Sequence, residues 1–349
     1  MVPLDGYRGD GMGEIQQQLM FPTKDNPTKP LLMIMDGHAL IHRAFRAIFS
    51  RQAFTTSSGE DTTGVYGFSN TFIRAIQQIE PTHCIMAFDS PGPTFRHTRF
   101  EKYKAGRPAT PKEMVHQFGR VKELMTAFRV PVIEIPGFEA DDIIGTVAKR
   151  AEKKNFKVFM VTPDKDFSQL VSENIFLCKP ARMGNGMEIL GTKEVNEKFE
   201  VDSPEQVIDF LGMMGDSVDN IPGLPGVGEK TAKKFLKEYG SMENLLSNSH
   251  LIPGKLGEKI TNNKELGIIS KELAKIILDV PIDYNLKDFK LTEPNKEKVL
   301  EVFDELEFRR IKETFFKIYG TERQTDNSAD KQVSIQTNLF DQNNYNQDS

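Results

Sequence analysis

The sequence predicts an α/β fold, a mostly parallel sheet flanked by helices, followed by a smaller helical region. Short apolar runs alternate with helical patterns between residues 29 and 203, which is typical of a parallel sheet covered on both faces. After residue 203 the strand-like runs stop and helical patterns continue. The chain has 349 residues, a length that accommodates about two domains.

Each element can be placed in order along the chain. Strands are predicted at 31–35, 84–88, 132–135, 158–161 and 175–178, and helices at 65–79, 111–128 and 140–153, with a helical pattern through Ile41, Phe45 and Ile48. In the helical region, 204–320, helices are predicted at 204–214 and 229–239 and in further segments to about 319. The flanking segments 1–28 and 321–349 are polar and lack sustained periodicity, so we predict a disordered extension and a disordered tail or linker.

Composition excludes several classes of protein. No apolar run approaches the ~20 residues of a membrane-spanning helix, and the first 30 residues lack the apolar centre of a secretory signal. Cys84 and Cys178 both fall in strand-like runs, and we expect buried free thiols in a reducing compartment. The six histidines show no zinc-binding spacing. These features predict a cytoplasmic protein that does not contact a membrane.

Charge is unevenly distributed. A net charge of −5 and a pI near 5.8 argue, taken alone, against a nucleic-acid binder. Between Gly92 and Lys122, however, eight basic residues accompany two acidic ones. We call residues 92–122 the basic segment. Prolines and glycines interrupt its first half, so one long helix with a solvated charged face is not expected there.

Acidic residues follow four of the predicted strands. Asp36 follows the first strand and Asp89 the second, and the remaining acids come after the third and fourth strands and after the helix at 204–214. These are Glu139, Asp141, Asp142, Asp164, Asp166, Asp216 and Asp219. Because ligands bind beyond the carboxyl ends of parallel strands, we expect up to nine carboxylates at one edge of the sheet.

So many like charges can stay ionised together only if cations neutralise them. Hard carboxylate oxygens suit Mg²⁺ or Mn²⁺, and two such ions about 4 Å apart are a standard device for phosphodiester hydrolysis. The sequence therefore predicts a divalent-metal-dependent nuclease. Each acid alone has another explanation, as a helix cap or turn residue or, for Asp141 and Asp142, as a partner of the helix dipole. Capping does not explain their recurrence at four strand ends.

Six motifs resemble those of one nuclease family, in order and with similar spacing. They are LMIMDGHAL at 32–40, AFDSPGPTFR at 87–96, YKAGRP at 103–108, GFEADD at 137–142, TPDKDF at 162–167 and GDSVDNIPGLPGVGEKTA at 215–232. The family is the bacterial 5′–3′ exonuclease or flap endonuclease, usually found as the N-terminal domain of DNA polymerase I. The resemblance covers residues 30–320 and implies either a stand-alone enzyme or a fragment of a polymerase.

The resemblance implies a PIN-like nuclease domain that binds two or three Mg²⁺ or Mn²⁺ ions. Its first-metal ligands correspond to Asp36, Asp89, Glu139 and Asp141, and its second-metal ligands mainly to Asp164, Asp166 and Asp219. Asp142 and Asp216 match the additional acids of the bacterial members. No acid of the family pattern is missing, so the resemblance implies an active copy.

The resemblance also assigns a role to the basic segment. In this family the corresponding residues, about 92–115 here, form a helical arch over the active site, and we expect it to be disordered without DNA. Arg96, Lys104 and Arg107 would contact the scissile and neighbouring phosphates, and Phe100 and Tyr103 would stack on bases of the single strand.

Residues 221–239 resemble the helix–hairpin–helix element of the family's helix-three-turn-helix motif. Glycines let such a hairpin approach phosphates closely, and the helix that follows offers its N-terminus to anions. The residues concerned are Gly223, Gly226, Gly228, Lys230, Thr231, Lys233 and Lys234. In relatives the hairpin carbonyls hold a monovalent ion, often K⁺. The alternative for this stretch is a glycine-rich loop that only caps a helix.

The implied function is a structure-specific 5′ nuclease of the nucleoid that removes DNA flaps and RNA–DNA primers in replication and repair, leaving a 5′-phosphate and a 3′-hydroxyl. Two alternatives stay open: a non-catalytic factor that binds DNA or recruits the clamp, and a PIN-type ribonuclease. The tail sequence QTNLF at Gln336–Phe340 resembles the peptide with which bacterial replication proteins bind the sliding clamp.

Overall fold

The computed structural model describes residues 29–49, 53–181 and 186–320. Its strands are β1 Leu31–Asp36, β2 His83–Ala87, β3 Val132–Ile133, β4 Lys157–Val161, β5 Ile175–Pro180 and β6 Met187–Leu190. The helices of the sheet region are α1 Gly37–Phe49, α2 Thr63–Ile79, α3 Phe95–Arg99, α4 Lys112–Ala127, α5 Ala140–Lys153 and α6 Thr192–Phe199. Those that follow are α7 Gln206–Met214, α8 Glu229–Tyr239, α9 Met242–Ser247, α10 Gly254–Asn262, α11 Lys264–Ala274, α12 Lys296–Glu305 and α13 Arg309–Tyr319. Short 3₁₀ helices lie at Lys165–Leu170, Ser249–Leu251 and Leu286–Phe289.

The strands form one six-stranded sheet in the order β3-β2-β1-β4-β5-β6. All neighbouring pairs are parallel except β5 and β6. This confirms the predicted fold class. Strand order reverses direction beside β1, which pairs with β2 on one side and β4 on the other. Such a switch point opens a crevice at the carboxyl ends of the two central strands, where Asp36 and Asp164 lie.

The sequence missed β6 and the helix α6 that follows it, and it placed β3 two residues too long. Strand β6 is a short antiparallel edge strand whose residues are mostly only partly buried, so its apolar pattern is weak. Strand β3 pairs only with Met86 and Ala87 of β2. In both cases tertiary pairing rather than local pattern sets the length of the strand.

Apolar cores cover both faces of the sheet. On one face α5 packs together with the helices from α7 to α11, and on the other face α1, α2 and α4 pack together with α12 and α13. The sequence assigned α12 and α13 to the separate helical region. They instead return to the sheet region, where Phe303 and Phe315 are fully buried and Phe315 lies edge-on to Phe128.

Cys84 and Cys178 are buried free thiols, as predicted. Among the described residues no helix combines the length and the apolar character needed to cross a membrane. The predicted disordered segments 1–28 and 321–349, including the clamp-like peptide, lie outside the described residues.

Candidate active site

Asp36 forms the floor of the site, where the last residue of β1 is almost fully buried. One carboxylate oxygen accepts the Ala39 amide at 3.1 Å and the other accepts the Thr162 hydroxyl at 2.9 Å. Thr162 follows β4, so the hydrogen bond joins the two strands at the switch point. The carboxylate is thereby fixed in direction before any ligand binds.

Asp89 and the start of α5 meet beside this floor. Asp89 Oδ1 accepts the Ala140 amide at 2.7 Å, and the Asp89 amide donates to Nδ1 of His38 at 3.1 Å. Glu139 is the N-cap of α5 and is buried, while Asp141 lies in its first turn. Asp89 and Asp141 therefore line the same crevice, whereas Glu139 is buried and does not line it.

Two turns carry the remaining acids, of which Asp164 lines the crevice and Asp216 lines a second hollow. Asp164 caps the 3₁₀ helix Lys165–Leu170 by accepting the Asp166 amide at 2.9 Å. Asp216 accepts the Val218 amide at 2.7 Å, and its backbone pairs with Ile221. This closes the turn that carries Asp219, so the residues between α7 and α8 complete the site.

The pKa values show that the acids share one electrostatic environment. Burial, together with the charges of Asp89 and Asp164, raises the pKa of Asp36 from 3.8 to about 7. Burial and the charges of Asp164, Asp36 and Glu139 raise the pKa of Asp141 well above its ordinary value. Burial likewise raises the pKa of Asp164, with the Asp219 charge adding to it. The carboxylates are close enough to repel one another, as the sequence predicted.

Asp166 joins these acids to the two from the hairpin turn. Burial raises its pKa well above the ordinary value, and Asp164, Asp216 and Asp219 add to the effect. Its Oδ1 atom is buried and has no hydrogen-bond partner among the described residues. A buried carboxylate oxygen without a donor is free to coordinate a cation.

This set of donors fits hard divalent cations, because it consists of carboxylate oxygens, one of which, Oδ1 of Asp166, is buried without a hydrogen-bond partner among the described residues. In the described part of the chain, however, no three His, Cys, Asp or Glu side chains already surround a common metal position. Cationic side chains pair with two of the acids, Glu139 and Asp219.

Those cationic side chains come from the basic segment. Lys104 Nζ lies 2.9 Å from Oε1 of Glu139, and Arg107 Nε lies 2.8 Å from Oδ1 of Asp219. The main chain is held as well, since the Lys104 amide donates to the Asp219 carbonyl at 2.8 Å. Lys104 adopts a φ of +58°, which is unusual for a residue with a side chain. The basic segment thus crosses the crevice and binds its acids directly.

Three residues predicted to contact the substrate or metal are instead enclosed by protein. Arg96 is buried and forms a two-pronged ion pair with Asp142, which is also fully buried. Tyr103 is buried and donates its hydroxyl to Glu139 at 3.2 Å. Accordingly, the assignments of Arg96 to a phosphate, Asp142 to a metal and Tyr103 to a stacked base do not fit this arrangement. Phe100 is partly buried against the core and also lines a 770 Å³ hollow beside Lys102.

The predicted helix–hairpin–helix is built as α7, the turns at 215–228 and α8. Gly223 and Gly226 have φ values of +66° and +84°, and Gly228 is the N-cap of α8. Lys230 and Lys234 are exposed on α8, whereas Lys233 pairs with Glu200 and Glu229 at 3.3 and 3.2 Å. Thr231 is partly buried. The exposed part of this element faces solvent beside the carboxylates.

Gly223→Ala is expected to destabilise the protein by about 2 kcal/mol, because a Cβ there would lie 2.7 Å from the Gly215 amide and φ is positive. Gly119→Ala, in α4, is the control, since its φ is not positive and nothing lies within 4 Å of the added Cβ. Urea unfolding of both variants tests this. Equal stability of the two would contradict the close packing of the hairpin.

The sequence did not single out several residues that line the crevice. The crevice has a volume of 1100 Å³, and beyond the acids it is lined by His38, His42, Arg43, Arg46, Lys179 and Lys198. His38, His42 and Arg46 are spaced by four residues, so one face of α1 meets the crevice. This helical spacing is the signal in the sequence that indicates these residues share one face of a helix.

Carboxylates lie together at the switch point of the sheet, and cationic side chains contact two of them. This arrangement is typical of an enzyme that hydrolyses phosphodiesters, and the protein is a nuclease. A family model described as the 5′–3′ exonuclease N-terminal, resolvase-like domain matches residues 31–200. The model for the 5′–3′ exonuclease C-terminal SAM fold matches residues 202–297. The chain belongs to the 5′–3′ exonuclease family, which confirms the resemblance found in the sequence.

Two DNA polymerases are similar to this chain over most of its length. DNA polymerase I of Bacillus caldotenax is 40% identical over 286 residues, which are 82% of this chain and 32% of the polymerase. The thermostable DNA polymerase I of Thermus filiformis is 38% identical over 297 residues, 85% of this chain and 34% of that protein. The chain spans about a third of the length of these relatives.

Solved structures share the fold at low sequence identity. T5 5′-exonuclease matches with a TM-score of 0.56 and 22% identity, covering 81% of this chain and 99% of that one. Flap endonuclease-1 from Methanococcus jannaschii matches with a TM-score of 0.55 and 18% identity, covering 84% and 92%.

Proposed function

We propose that this nuclease cleaves DNA and RNA–DNA strands at the junction between a single-stranded 5′ end and a duplex, in replication and repair. The observation that carries the proposal is the contact of Lys104 and Arg107 with Glu139 and Asp219. The cations that would bind phosphate are therefore hydrogen-bonded directly to carboxylates that would bind metal. A phosphodiester that displaces the carboxylates from these cations would lie beside the acids that act on it.

Asp36, Asp89, Glu139 and Asp141 would hold one divalent ion, and Asp164, Asp166 and Asp219 a second, with Asp216 supporting the turn. Mg²⁺ or Mn²⁺ bound there supplies an activated water and stabilises the charge on the leaving oxygen. Structures of related proteins support a metal requirement: T5 5′-exonuclease is described with bound zinc, and a bacteriophage T5 flap endonuclease variant is described with DNA and metal ions.

Lys104 and Arg107 would orient the scissile phosphate. Both reach the crevice from the basic segment, and both bind carboxylates until an anion competes for them. When a substrate phosphate replaces the carboxylate beside Lys104 or Arg107, the cation stays paired with an anion. The carboxylate that is released becomes available to the site. Substrate binding and completion of the acidic site are therefore coupled.

The hairpin would grip the duplex. Gly226 and Gly228 are exposed, and so are Lys230 and Lys234 in the N-terminal half of α8, so backbone and cations are accessible to a phosphate. Such a surface binds phosphates without reading bases. A K⁺ ion bound to the hairpin carbonyls would reinforce this contact. The catalytic core of Rad2, which shares the fold, is described in complex with a DNA substrate.

A panel of labelled substrates tests the function. We expect Mg²⁺-dependent cleavage of a 5′-flap duplex and a matching RNA-primed duplex, with much weaker cleavage of single strands and blunt duplexes. Preference for structured RNA over every DNA substrate would favour the PIN-type ribonuclease. Binding of flap DNA with no cleavage in Mg²⁺ or Mn²⁺ would favour the non-catalytic DNA-binding or clamp-recruiting factor.

Lys104→Ala is expected to lower the rate of flap cleavage by about 10²-fold, because one charged donor to the transition state is lost. Lys112→Ala, an exposed lysine at the start of α4, is the matched control and is expected to change the rate by less than about threefold. Single-turnover cleavage at saturating enzyme measures this. Equal rates for Lys104→Ala and the wild type would remove Lys104 from the chemistry.

The sliding clamp is proposed as a further partner, through residues 336–340. The test is a pull-down with the clamp of the same bacterium, in which Leu339→Ala combined with Phe340→Ala should abolish retention. Flap cleavage without the clamp provides the control, because the described site does not include these residues. Unchanged retention of the double variant would exclude this role for the peptide.

A further inference from the structure

A buried ion pair lies next to the acids without facing the crevice. Arg96 Nη1 and Nη2 each donate to one Asp142 oxygen at 2.8 Å. Arg96 belongs to α3, at the base of the basic segment, whereas Asp142 lies in the first turn of α5. Asp142 also accepts the Glu139 amide at 3.2 Å. The pair therefore connects the basic segment to the turn that carries Glu139 and Asp141.

The same two side chains hold a third part of the chain. Residues 273–282, here called the strap, run from the end of α11 across α5. Arg96 Nε donates to the Leu273 carbonyl at 3.0 Å and Nη2 donates to the Lys275 carbonyl at 2.8 Å. Asp142 Oδ1 accepts the Ile277 amide at 2.9 Å. The ion pair is thus a junction of the basic segment, α5 and the helical region.

Other side chains of the sheet region extend this attachment along the strap. Gln169 donates to the Ala274 carbonyl at 3.0 Å and accepts the Ile276 amide at 2.9 Å. Thr146 accepts the Val280 amide at 3.2 Å, and Arg150 donates to the Val280 and Ile282 carbonyls at 2.9 and 3.0 Å. These polar contacts hold the backbone of the strap, while its buried Ile276, Val280 and Ile282 pack in the apolar core.

The hydrogen-bonding capacity of the pair is used up within the protein. Arg96 directs its donors to Asp142, Leu273 and Lys275, and its remaining contact is Glu139 at 3.5 Å. Asp142 receives two donors from Arg96 and two backbone amides. A residue so saturated and so buried has no free atom for a phosphate or a metal ion.

We infer that Arg96 and Asp142 are positioning residues of the nuclease site. Together they fix the base of the basic segment and the acids at the start of α5 relative to the strap. They thereby also fix both relative to α11, the helix from which the strap begins. The inference rests on the proposed function for its consequence, cleavage, but the junction itself can be tested without cleavage. Arg96 and Asp142 act as one unit, and neither of them touches substrate or metal.

A double-mutant cycle tests whether Arg96 and Asp142 act as one unit or independently of each other. Arg96→Met and Asp142→Asn are each expected to lower the single-turnover rate of flap cleavage by roughly 10- to 100-fold, and the double variant to fall within about threefold of the poorer single variant, since residues in one network do not add. Losses that multiply in the double variant would overturn the inference.

The Mg²⁺ dependence provides a readout that loss of structure alone does not mimic. Both single variants are expected to keep the Mg²⁺ concentration for half-maximal rate within about threefold of the wild type, whereas a rise of roughly tenfold or more for Asp142→Asn but not for Arg96→Met would make Asp142 a metal ligand. A steeper weakening of DNA binding by salt in wild type than in Arg96→Met would make Arg96 a phosphate contact.

Hydrogen exchange tests the junction without substrate. Peptides covering 93–99, 139–146 and 273–280 are expected to exchange faster together in both variants. Arg99→Met is the matched control: Arg99 lies on the same helix and pairs at the surface with Glu272 and Glu265, so exchange in 139–146 should not change.

If Arg96→Met does not fold, Arg96→Lys replaces it in the cycle. Wild-type-like exchange in folded variants would overturn the inference, whereas failure of wild type to cleave would refute only the proposed function.

Discussion

Asp164→Asn is expected to lower flap cleavage by at least about 10³-fold, about 4 kcal/mol of transition-state stabilisation, and to make the metal-free protein more stable. The loss follows from removing a central acid of the crevice. The gain follows because the Asp164 charge raises the pKa values of Asp36, Asp141 and Asp166, and its removal relieves that repulsion. We expect a gain of about 1 kcal/mol in the free energy of unfolding.

Asp202→Asn is the matched control, because Asp202 is exposed outside the crevice and should change neither quantity. Single-turnover cleavage in Mg²⁺ and urea unfolding in a chelator measure the two effects. If Asp164→Asn loses activity and stability together, the acid supports the fold, and the assignment to the metal site fails. If it keeps full activity, the carboxylate cluster is not the catalytic centre.

Metal-free protein is expected to lose stability as the pH rises from about 5 to about 8, and Mg²⁺ is expected to restore it. The pKa of Asp36 is about 7 in the folded chain and 3.8 ordinarily. The folded state therefore binds the proton more tightly, and the stability this provides is lost progressively as the pH rises from about 4 to about 7. For Asp36 alone the full difference is about 4 kcal/mol.

The raised pKa values of Asp141, Asp164 and Asp166 act in the same direction. A cation that binds the ionised acids removes the penalty, so Mg²⁺ should raise Tm by several degrees at about pH 8 and very little at about pH 5. Thermal unfolding with chelator or with Mg²⁺ at each pH measures this. A metal-free Tm that rises over this pH range, or a Mg²⁺ effect independent of pH, would contradict the shared acidic site.

Much of the fold was predictable from local pattern. The helix Ala140–Lys153 and the helix Glu229–Tyr239 begin and end where the sequence placed them, because apolar spacing and capping residues define both. The parallel strands were found because buried strands read as unbroken apolar runs. The edge strand Met187–Leu190 was missed, since its pairing with Cys178 and Leu177 is visible only in three dimensions.

The candidate site was predictable where the chain itself positions a residue. Asp36, Asp89 and Asp164 follow strands, and topology alone places strand ends together. Arg96 and Tyr103 show the limit of this reasoning. Both belong to a basic, aromatic stretch typical of a nucleic-acid surface, yet both are buried by residues far away in the sequence, among them Glu139 and Leu273. The sequence of a segment shows its charge. It does not show which face of that segment the rest of the protein covers.

The last two helices of the described chain cover elements from its beginning. Ser57 donates to Glu307, which is 250 residues away, and Phe315 lies against Phe128. During synthesis, which proceeds at roughly 5–20 residues per second, α1, α2 and α4 on this face of the sheet lack part of their apolar contacts until α12 and α13 leave the ribosome. The acidic crevice lies at the end of that same sheet. A newborn chain therefore completes this apolar core only when α13, which ends at Tyr319, has been made.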